Sequence, residues 1–383
     1  MNRRPPPDAP VRVIINGLHA KSGGGVTYLR NLLPHLAADK RLELHLFLHR
    51  EQYKLFGEAP DGIRLHLLEF RQGFLRLLFW EQCALPLLAA EMGAEVTFSP
   101  ANYGPLLAPA PVILLRNSLA VVQREYRLKK RLYWVGLAAA TAASLLFARR
   151  AIAVSDYARR TLNFGLTKLF ANKIEVIHHG VNEDFRVASA NHDREPATLL
   201  AVSDIYVQKN LHTLIKALGQ LRQEGGTLRL VVAGHTVDRE YHQQLTDLIA
   251  EFHLGDSVEF LGGVSPERLA ELYRQCTVFV FPSTVETFGN PLVEAMASAA
   301  PIACSRSAAM PEIVGDAAEY FEPLDIADMA RAIRHLVENP GRRDELAQLG
   351  QARAAKYSWA TTARHTAQVL FRAARGDSGA CAP

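Results

Sequence analysis

The sequence predicts an α/β protein built from two doubly wound parallel sheets, and three observations carry that expectation. Short apolar, β-branched runs alternate with segments of helical periodicity along the chain. The alternation breaks at the polar, unpatterned stretch "VASANHDREP", Val187 to Pro196, and then restarts. At 383 residues the chain is also long for a single core. The expected organisation is a first domain over 1–187, a linker over 188–196, a second domain over 197–357 and a last helix over 358–375 packing back on the first domain.

Taken in order, "MNRRPPPDAP" reads as a basic, proline-rich tail. "VRVIING" follows as a strand, "GVTYLRNLLPHLAAD" as a helix and "LELHLFLH" as a strand. "EVTFSP", "PVILLRNS", an alanine-rich helix, "RRAIAVS" and "KIEVIHHG" complete the first half. The second half runs "ATLLAVSDI", "NLHTLIKALGQLRQEG", "LRLVVAG", "REYHQQLTDLIAEFHLG", "VEFLGGV", "SPERLAELYRQC", "TVFVFPS" and on to "AEYFEP". Parallel sheets of this kind bind ligands at the carboxyl ends of their strands, so a cleft between the two domains is the expected active site.

Composition narrows the class. Apolar residues make up 49% and charged residues 21%, the balance of an ordinary globular protein. Cys83, Cys276, Cys304 and Cys381 have neither metal-ligand spacing nor disulfide density, which fits a reducing, cytoplasmic setting. The apolar run near the N-terminus is too short for a signal peptide. Charge is uneven: residues 1–194 carry 26 Lys and Arg against 16 Asp and Glu, and the remainder carries 17 against 23. The first half is therefore expected to meet something anionic. The segment 132–148 is apolar and flanked by basic residues. Its alanine content, with Thr141 and Ser144, makes it only weakly hydrophobic, so a buried helix is expected rather than a bilayer span.

The densest chemistry lies in "TVFVFPSTVETFGNPLVEAMASAAPIACS", Thr277 to Ser305. A strand ends at Pro282-Ser283. A helix is expected to start with Asn290 as its cap and Pro291 at the first helical position. The N–H groups of Leu292 and Val293 would then form an anion site. Glu286 in the loop and Glu294 one turn into the helix would border it. Carboxylates beside a bound anion suit hydroxyl groups, such as those of a ribose and a sugar. Taken alone, the two acids fit equally a solvated loop residue and a helix-dipole partner.

The block "ETFGNPLVEAMASAAPIACSRSAAMPEIVGDAAEYFEPLD" resembles the E-x7-E region of retaining glycosyltransferases of family 4, which have the two-domain GT-B architecture. "LHAKSGGGVTYLRNLLPHL", "AIAVSDYARRTL", "KIEVIHHGVNEDF", "LLAVSDIYVQKNLHTLIKAL" and "YSWATTARHTAQVLF" are similar to further elements of that family. The resemblance implies transfer of a sugar from a nucleotide-diphosphate sugar to a glycan or lipid-linked acceptor, in the synthesis of cell-surface polysaccharide or glycolipid. It implies that Glu286 contacts the donor sugar, with Phe288, Gly289 and Asn290 lining it by their backbone. Glu294 would hold the ribose. Leu292 and Val293 would meet the diphosphate, and Lys209 would neutralise it. Gly24 and Gly25 would let the first loop approach phosphate closely, and Val264 would sit at the base.

Two departures from the family's pattern stand out. Asp204 and Gln208 offer no cation before Lys209. Arg116 and Asn117 occupy the place of a common His–Asp pair, where Arg116 could support the leaving phosphate, face an anionic acceptor or make a structural ion pair. A sugar-nucleotide epimerase, a sugar phosphorylase and a non-catalytic sugar- or membrane-binding protein share this architecture and are the alternatives. No metal is expected: Asp-x-Asp is missing, His178 and His179 face opposite ways, and Asp325 and Asp328 read as a helix cap and first-turn acid. No bound cofactor and no nucleic acid are expected. The cluster Arg124, Arg127, Lys129, Lys130 and Arg131 suggests peripheral attachment to an anionic membrane face.

Overall fold

The computed structural model describes residues 9–21, 23–57, 60–70, 73–119, 128–188 and 194–376. It divides into two compact units, Met1–Gly180 with Trp359–Pro383, and Val181–Ser358.

Unit 1 begins with β1 (Val11–Asn16), α1 (Gly23–Ala37), β2 (Leu42–His49), α2 (Arg50–Phe56) and β3 (Ile63–Leu68). A broken helix follows: α3 (Phe74–Phe79), a π-helical turn (Trp80–Ala84) and α4 (Leu85–Glu91). Then come β4 (Val96–Ser99), β5 (Pro111–Leu115), α5 (Leu128–Phe147), β6 (Arg150–Ala153), α6 (Asp156–Thr161), α7 (Thr167–Phe170) and β7 (Ile174–Val176). Unit 2 contains β8 (Thr198–Val202), α8 (Leu211–Gln223), β9 (Arg229–Ala233), α9 (Arg239–Glu251), β10 (Val258–Gly262) and α10 (Pro266–Gln275). It continues through β11 (Val278–Phe281), α11 (Asn290–Ala297), β12 (Ile302–Ser305), α12 (Met310–Val314), β13 (Glu319–Phe321), α13 (Ile326–Glu338) and α14 (Pro340–Ala354). The chain then returns to unit 1 as α15, Trp359–Arg375.

Both sheets are parallel among the described residues. Unit 1 has the order β3-β2-β1-β4-β5-β6-β7 and unit 2 the order β10-β9-β8-β11-β12-β13. Each order reverses once, between β1 and β4 and between β8 and β11. Such switch points open a crevice at the strands' carboxyl ends. The central strands are buried on both faces, as in "VVA" of β9 and "VFVF" of β11. Leu199, Leu214, Val232, Val280 and Ile333 belong to the unit 2 core.

Three expectations change. The crossover falls at 180/181, seven residues before the expected end of the first domain. Val181 bridges to Ser358, Ser298 Oγ donates to the Phe185 carbonyl and Phe185 packs edge-on against Tyr273, so 181–186 is fixed to unit 2. The expected linker is also held at its end, because Arg194 donates to the carbonyls of Arg274, Cys276 and Ala299. Finally, the alanine-rich helix is not buried along its length. Leu132, Tyr133 and Val135 of α5 are 64%, 63% and 52% exposed, whereas Thr141, Ser144 and Leu145 are buried. Helix α15 packs beside α1 on β1, β4, β5 and β6 and supplies cover that this parallel sheet requires. Among the described residues no helix is long and apolar enough to cross a membrane.

Candidate functional site

In unit 2 the site residues gather on both sides of the β8/β11 switch point. After β8 the chain makes a short 3-10 turn, Val207–Lys209, and then Asn210 in the left-handed region at φ 58°. Asn210 is fully buried; its side-chain amide donates to the Pro282 carbonyl at 3.0 Å and to Pro323, and its oxygen accepts from Thr213 Oγ1. The loop after β11 is tied to the same turn. The Thr284 N–H and hydroxyl both donate to the Gln208 carbonyl, Ser305 Oγ donates to Ser283, and Ser307 Oγ to Thr284.

This bracing brings two of the expected residues together: Lys209 Nζ lies 2.5 Å from Glu286 Oε1. Both side chains are largely enclosed, at 11% and 17% exposure. Burial alone would push the Lys209 ammonium down, but Glu286 and the facing Tyr206 outweigh it, so its pKa rises and the charge persists. Lys209 also sits over the Tyr206 and Phe281 rings, 5.3 and 5.9 Å from their centroids.

The helix start differs from expectation. Asn290 is already helical and Gly289 is the cap, at φ 87°, a region open to glycine at little strain. Pro291 is consequently the second helical residue. The turn closes with the Leu292 N–H donating to the Gly289 carbonyl at 2.9 Å. That N–H is thus engaged within the protein, and Leu292 and Val293 bury their side chains. Phe288 is buried too, its ring edge-on to Tyr357.

Glu294 accepts a hydrogen bond from the Tyr273 hydroxyl at 3.1 Å. The residue is partly buried and its carboxyl enclosed. Burial pushes that carboxyl up to about 7, although the Tyr273 bond favours the charged form. Val264 follows β10 at the sheet edge, with β9 and β8 between it and β11.

In unit 1, Gly24 and Gly25 lie in the first turn of α1 rather than in a loop, because the helix begins at Gly23. Gly25 has a packing role: a Cβ there would come within 2.6 Å of Arg116 Nη2. Burial lowers the Arg116 pKa. The backbone of Arg116 and Asn117 is fixed by buried Asn102, whose oxygen accepts both N–H groups and whose amide donates to the Asn117 carbonyl. Of the basic cluster, Arg131 is exposed on α5, Lys129 and Lys130 lie on its first turn, and Arg124 and Arg127 fall outside the described residues. Among the described residues no group of three or more His, Cys, Asp or Glu side chains could hold a metal ion.

Sequence reasoning did not pick out Asn210, Tyr206, Tyr273 or Asn102. The first has a signal, since an Asn just before an apolar-periodic helix is a common helix start. The tyrosines have none, because their roles depend on which strands become neighbours.

With this geometry in place, comparison with known proteins is informative. Residues 182–353 match the family described as "Glycosyl transferases group 1", and residues 22–185 match "Glycosyltransferase Family 4". The chain belongs to the family 4, group 1 glycosyltransferases. Curated relatives in the family include glycogen synthase of Mycobacterium tuberculosis, 29% identical over 224 residues, covering 57% of this chain and 53% of that protein. MMP alpha-(1->4)-mannosyltransferase of Mycolicibacterium hassiacum is 31% identical over 206 residues, covering 52% of this chain and 49% of that protein. The chain thus spans about half the length of these curated relatives. Among solved structures, sucrose-phosphate synthase from Thermosynechococcus elongatus superposes with a TM-score of 0.73 at 21% identity, covering 94% of this chain and 98% of that one. HepE of Anabaena, solved with UDP-glucose, gives 0.73 at 18% identity, covering 94% and 99%. These structural likenesses place the fold in the GT-B class.

Proposed function

We propose that this family 4 protein is a retaining glycosyltransferase. It moves a sugar from a nucleotide-diphosphate sugar to a glycan or lipid-linked acceptor, without a metal ion, in cell-surface polysaccharide or glycolipid synthesis. The observation that carries the reading is the enclosed Lys209–Glu286 pair at the unit 2 switch point, beside a helix start and a second enclosed acid, Glu294.

The chemistry follows from charge. Glu286 accepts hydrogen bonds from donor sugar hydroxyls, and its bond to Lys209 fixes which way its carboxylate faces. Glu294 accepts from the ribose. The diphosphate gains negative charge as the sugar departs. The Lys209 ammonium and the positive end of α11 oppose that charge without reorganising. With the diphosphate oxygen taking the acceptor's proton on the face it leaves, the sugar keeps its configuration and no protein nucleophile is required. Arg131, Lys129 and Lys130 on α5 suit attachment to the anionic inner membrane face.

The test is a thermal-shift screen of nucleoside diphosphates and nucleotide sugars, followed by transfer assays with excess EDTA. A true donor raises the midpoint by mass action. Stabilisation by one nucleotide series and EDTA-resistant turnover are expected. No response to any nucleotide, or turnover lost to EDTA and restored by Mg²⁺, would overturn the corresponding part.

A further inference from the structure

Unit 1 carries a second constellation, at its own switch point. A cavity of about 1280 Å³ opens there, at the carboxyl ends of β1, β2, β4 and β5. Its walls are mainly apolar and come from α3, α5 and the loop after β4: Leu77, Leu78, Leu107, Leu132, Leu137 and Ala140. Its polar end is a buried relay. Glu81 is 2% exposed and lies in the π-helical turn that interrupts α3–α4. Glu81 shares the buried face of this broken helix with Leu85 and Ala89, four and eight residues on. Glu81 Oε1 accepts from Asn16 Nδ2 at 2.8 Å and meets His19 Nε2 at 2.7 Å. His19 Nδ1 in turn lies 3.2 Å from the Tyr103 hydroxyl.

The donor directions are those of the neutral His19 tautomer that donates to Glu81. A carboxylate only accepts, so His19 donates from Nε2, and a neutral imidazole then accepts at Nδ1. Burial and the nearby Glu81 raise the Tyr103 pKa, so its hydroxyl keeps its proton and donates to that nitrogen. In that tautomer every donor of the relay points toward Glu81. The Tyr103 oxygen is left as an acceptor at the polar end, suited to a ligand hydroxyl.

We propose that this cavity binds an amphiphile: a hydroxylated head held at the Tyr103–His19–Glu81 relay, and a hydrocarbon segment lying between α3 and α5. This deepens the transferase reading, on which its role as acceptor site rests, and names the acceptor class. Binding itself does not depend on that reading. A buried carboxylate at one end of a mainly apolar cavity is expensive unless a polar ligand group or a fixed network uses it. A purely polar glycan would leave the leucine walls without a partner.

The experiment is calorimetric titration of the full chain with glucose and with hexyl, octyl and decyl glucoside, each below its critical micelle concentration. Affinity is expected to rise about fourfold per added methylene, from about 0.8 kcal/mol each, and glucose alone to give no measurable heat. Gly136→Trp is the decisive variant. Gly136 lines the cavity on α5 with nothing within 4 Å of an added Cβ, so tryptophan fills space without displacing the core. It should flatten the chain-length dependence while nucleoside diphosphate binding by unit 2 is unchanged. Glu81→Gln should weaken all three glucosides by one common factor of about tenfold, with the slope kept. Equal affinity for hexyl and decyl glucoside, or a slope unaltered by Gly136→Trp, would overturn the proposal. A normal slope in a protein that binds no nucleotide would instead overturn the transferase reading and leave the cavity assignment standing.

Discussion

The two switch points of this molecule solve one problem with opposite chemistry. Both lie where a parallel sheet reverses its order. In unit 2 the crevice is lined by an enclosed, fully charged pair, Lys209–Glu286, held by short polar loops. In unit 1 it widens into an apolar cavity with a single acid buried at one end. The topology provides the crevice and the residues after each strand decide what enters it. A charged pair braced by backbone carbonyls suits a ligand of fixed charge and geometry. A leucine-lined cavity suits a ligand of variable apolar length.

The contrast can be broken most strongly at the pair. Lys209→Met leaves Glu286 enclosed without its cation, and should destabilise unit 2 by about 3 kcal/mol. Urea unfolding measures this. Adding Glu286→Gln should recover most of the loss, because the cost is an uncompensated charge rather than missing contacts. Transfer activity should be lost in both.

Asn210→Ala removes two bonds to loop carbonyls and one from Thr213, and forces alanine to adopt a left-handed φ. A loss of about 2 kcal/mol is expected, with weaker nucleotide binding because the turn carrying Lys209 loosens. Unchanged nucleotide affinity in a destabilised variant would show that the bracing is structural alone.

The Glu294 carboxyl titrates near 7 when folded, against an ordinary value of 4.5. Between those values the folded protein holds a proton that the unfolded chain has released. Stability therefore falls as pH rises through that window and levels off above it. Partial exposure of the residue limits the effect to about 2 kcal/mol. Glu294→Gln should remove that part of the slope, so the two proteins diverge as pH rises from 5 to 7. Parallel unfolding curves would contradict the enclosed environment assigned to Glu294.

At the small end, Val264→Ala at the edge of the unit 2 sheet should change stability and donor affinity by under about 0.5 kcal/mol. A large loss of donor affinity would bring that residue into the site.

What could be read from the sequence follows the same division. Unit 2 was legible because its site is built from local signals: a strand end, Pro282, a capped helix start and acids at a fixed interval. The helix start was displaced by one residue, where Gly289 supplies a left-handed turn and its carbonyl engages the Leu292 N–H that was expected to be free. Unit 1 was less legible. β3 was not picked out, because "IRLHLL" forms a half-exposed edge strand with polar residues breaking the apolar run. Glu81 was not picked out, because its partners Asn16 and His19 lie more than 60 positions earlier in the chain. The exposure of the first turns of α5 could not be foreseen from its own residues, since its apolar and alanine-rich run continues unchanged from exposed Leu132 to buried Leu145.

The central claim is that unit 2 holds a nucleotide-diphosphate sugar through divided roles, the sugar at Glu286 and the ribose at Glu294. Calorimetry of the stabilising nucleoside diphosphate against wild type, Glu286→Ala and Glu294→Ala tests it most directly. The account predicts that Glu294→Ala weakens binding by about tenfold or more, from a bond worth roughly 1.5–3 kcal/mol, while Glu286→Ala binds the sugar-free diphosphate nearly as wild type does. Equal losses in both variants, or no loss in Glu294→Ala, would contradict it.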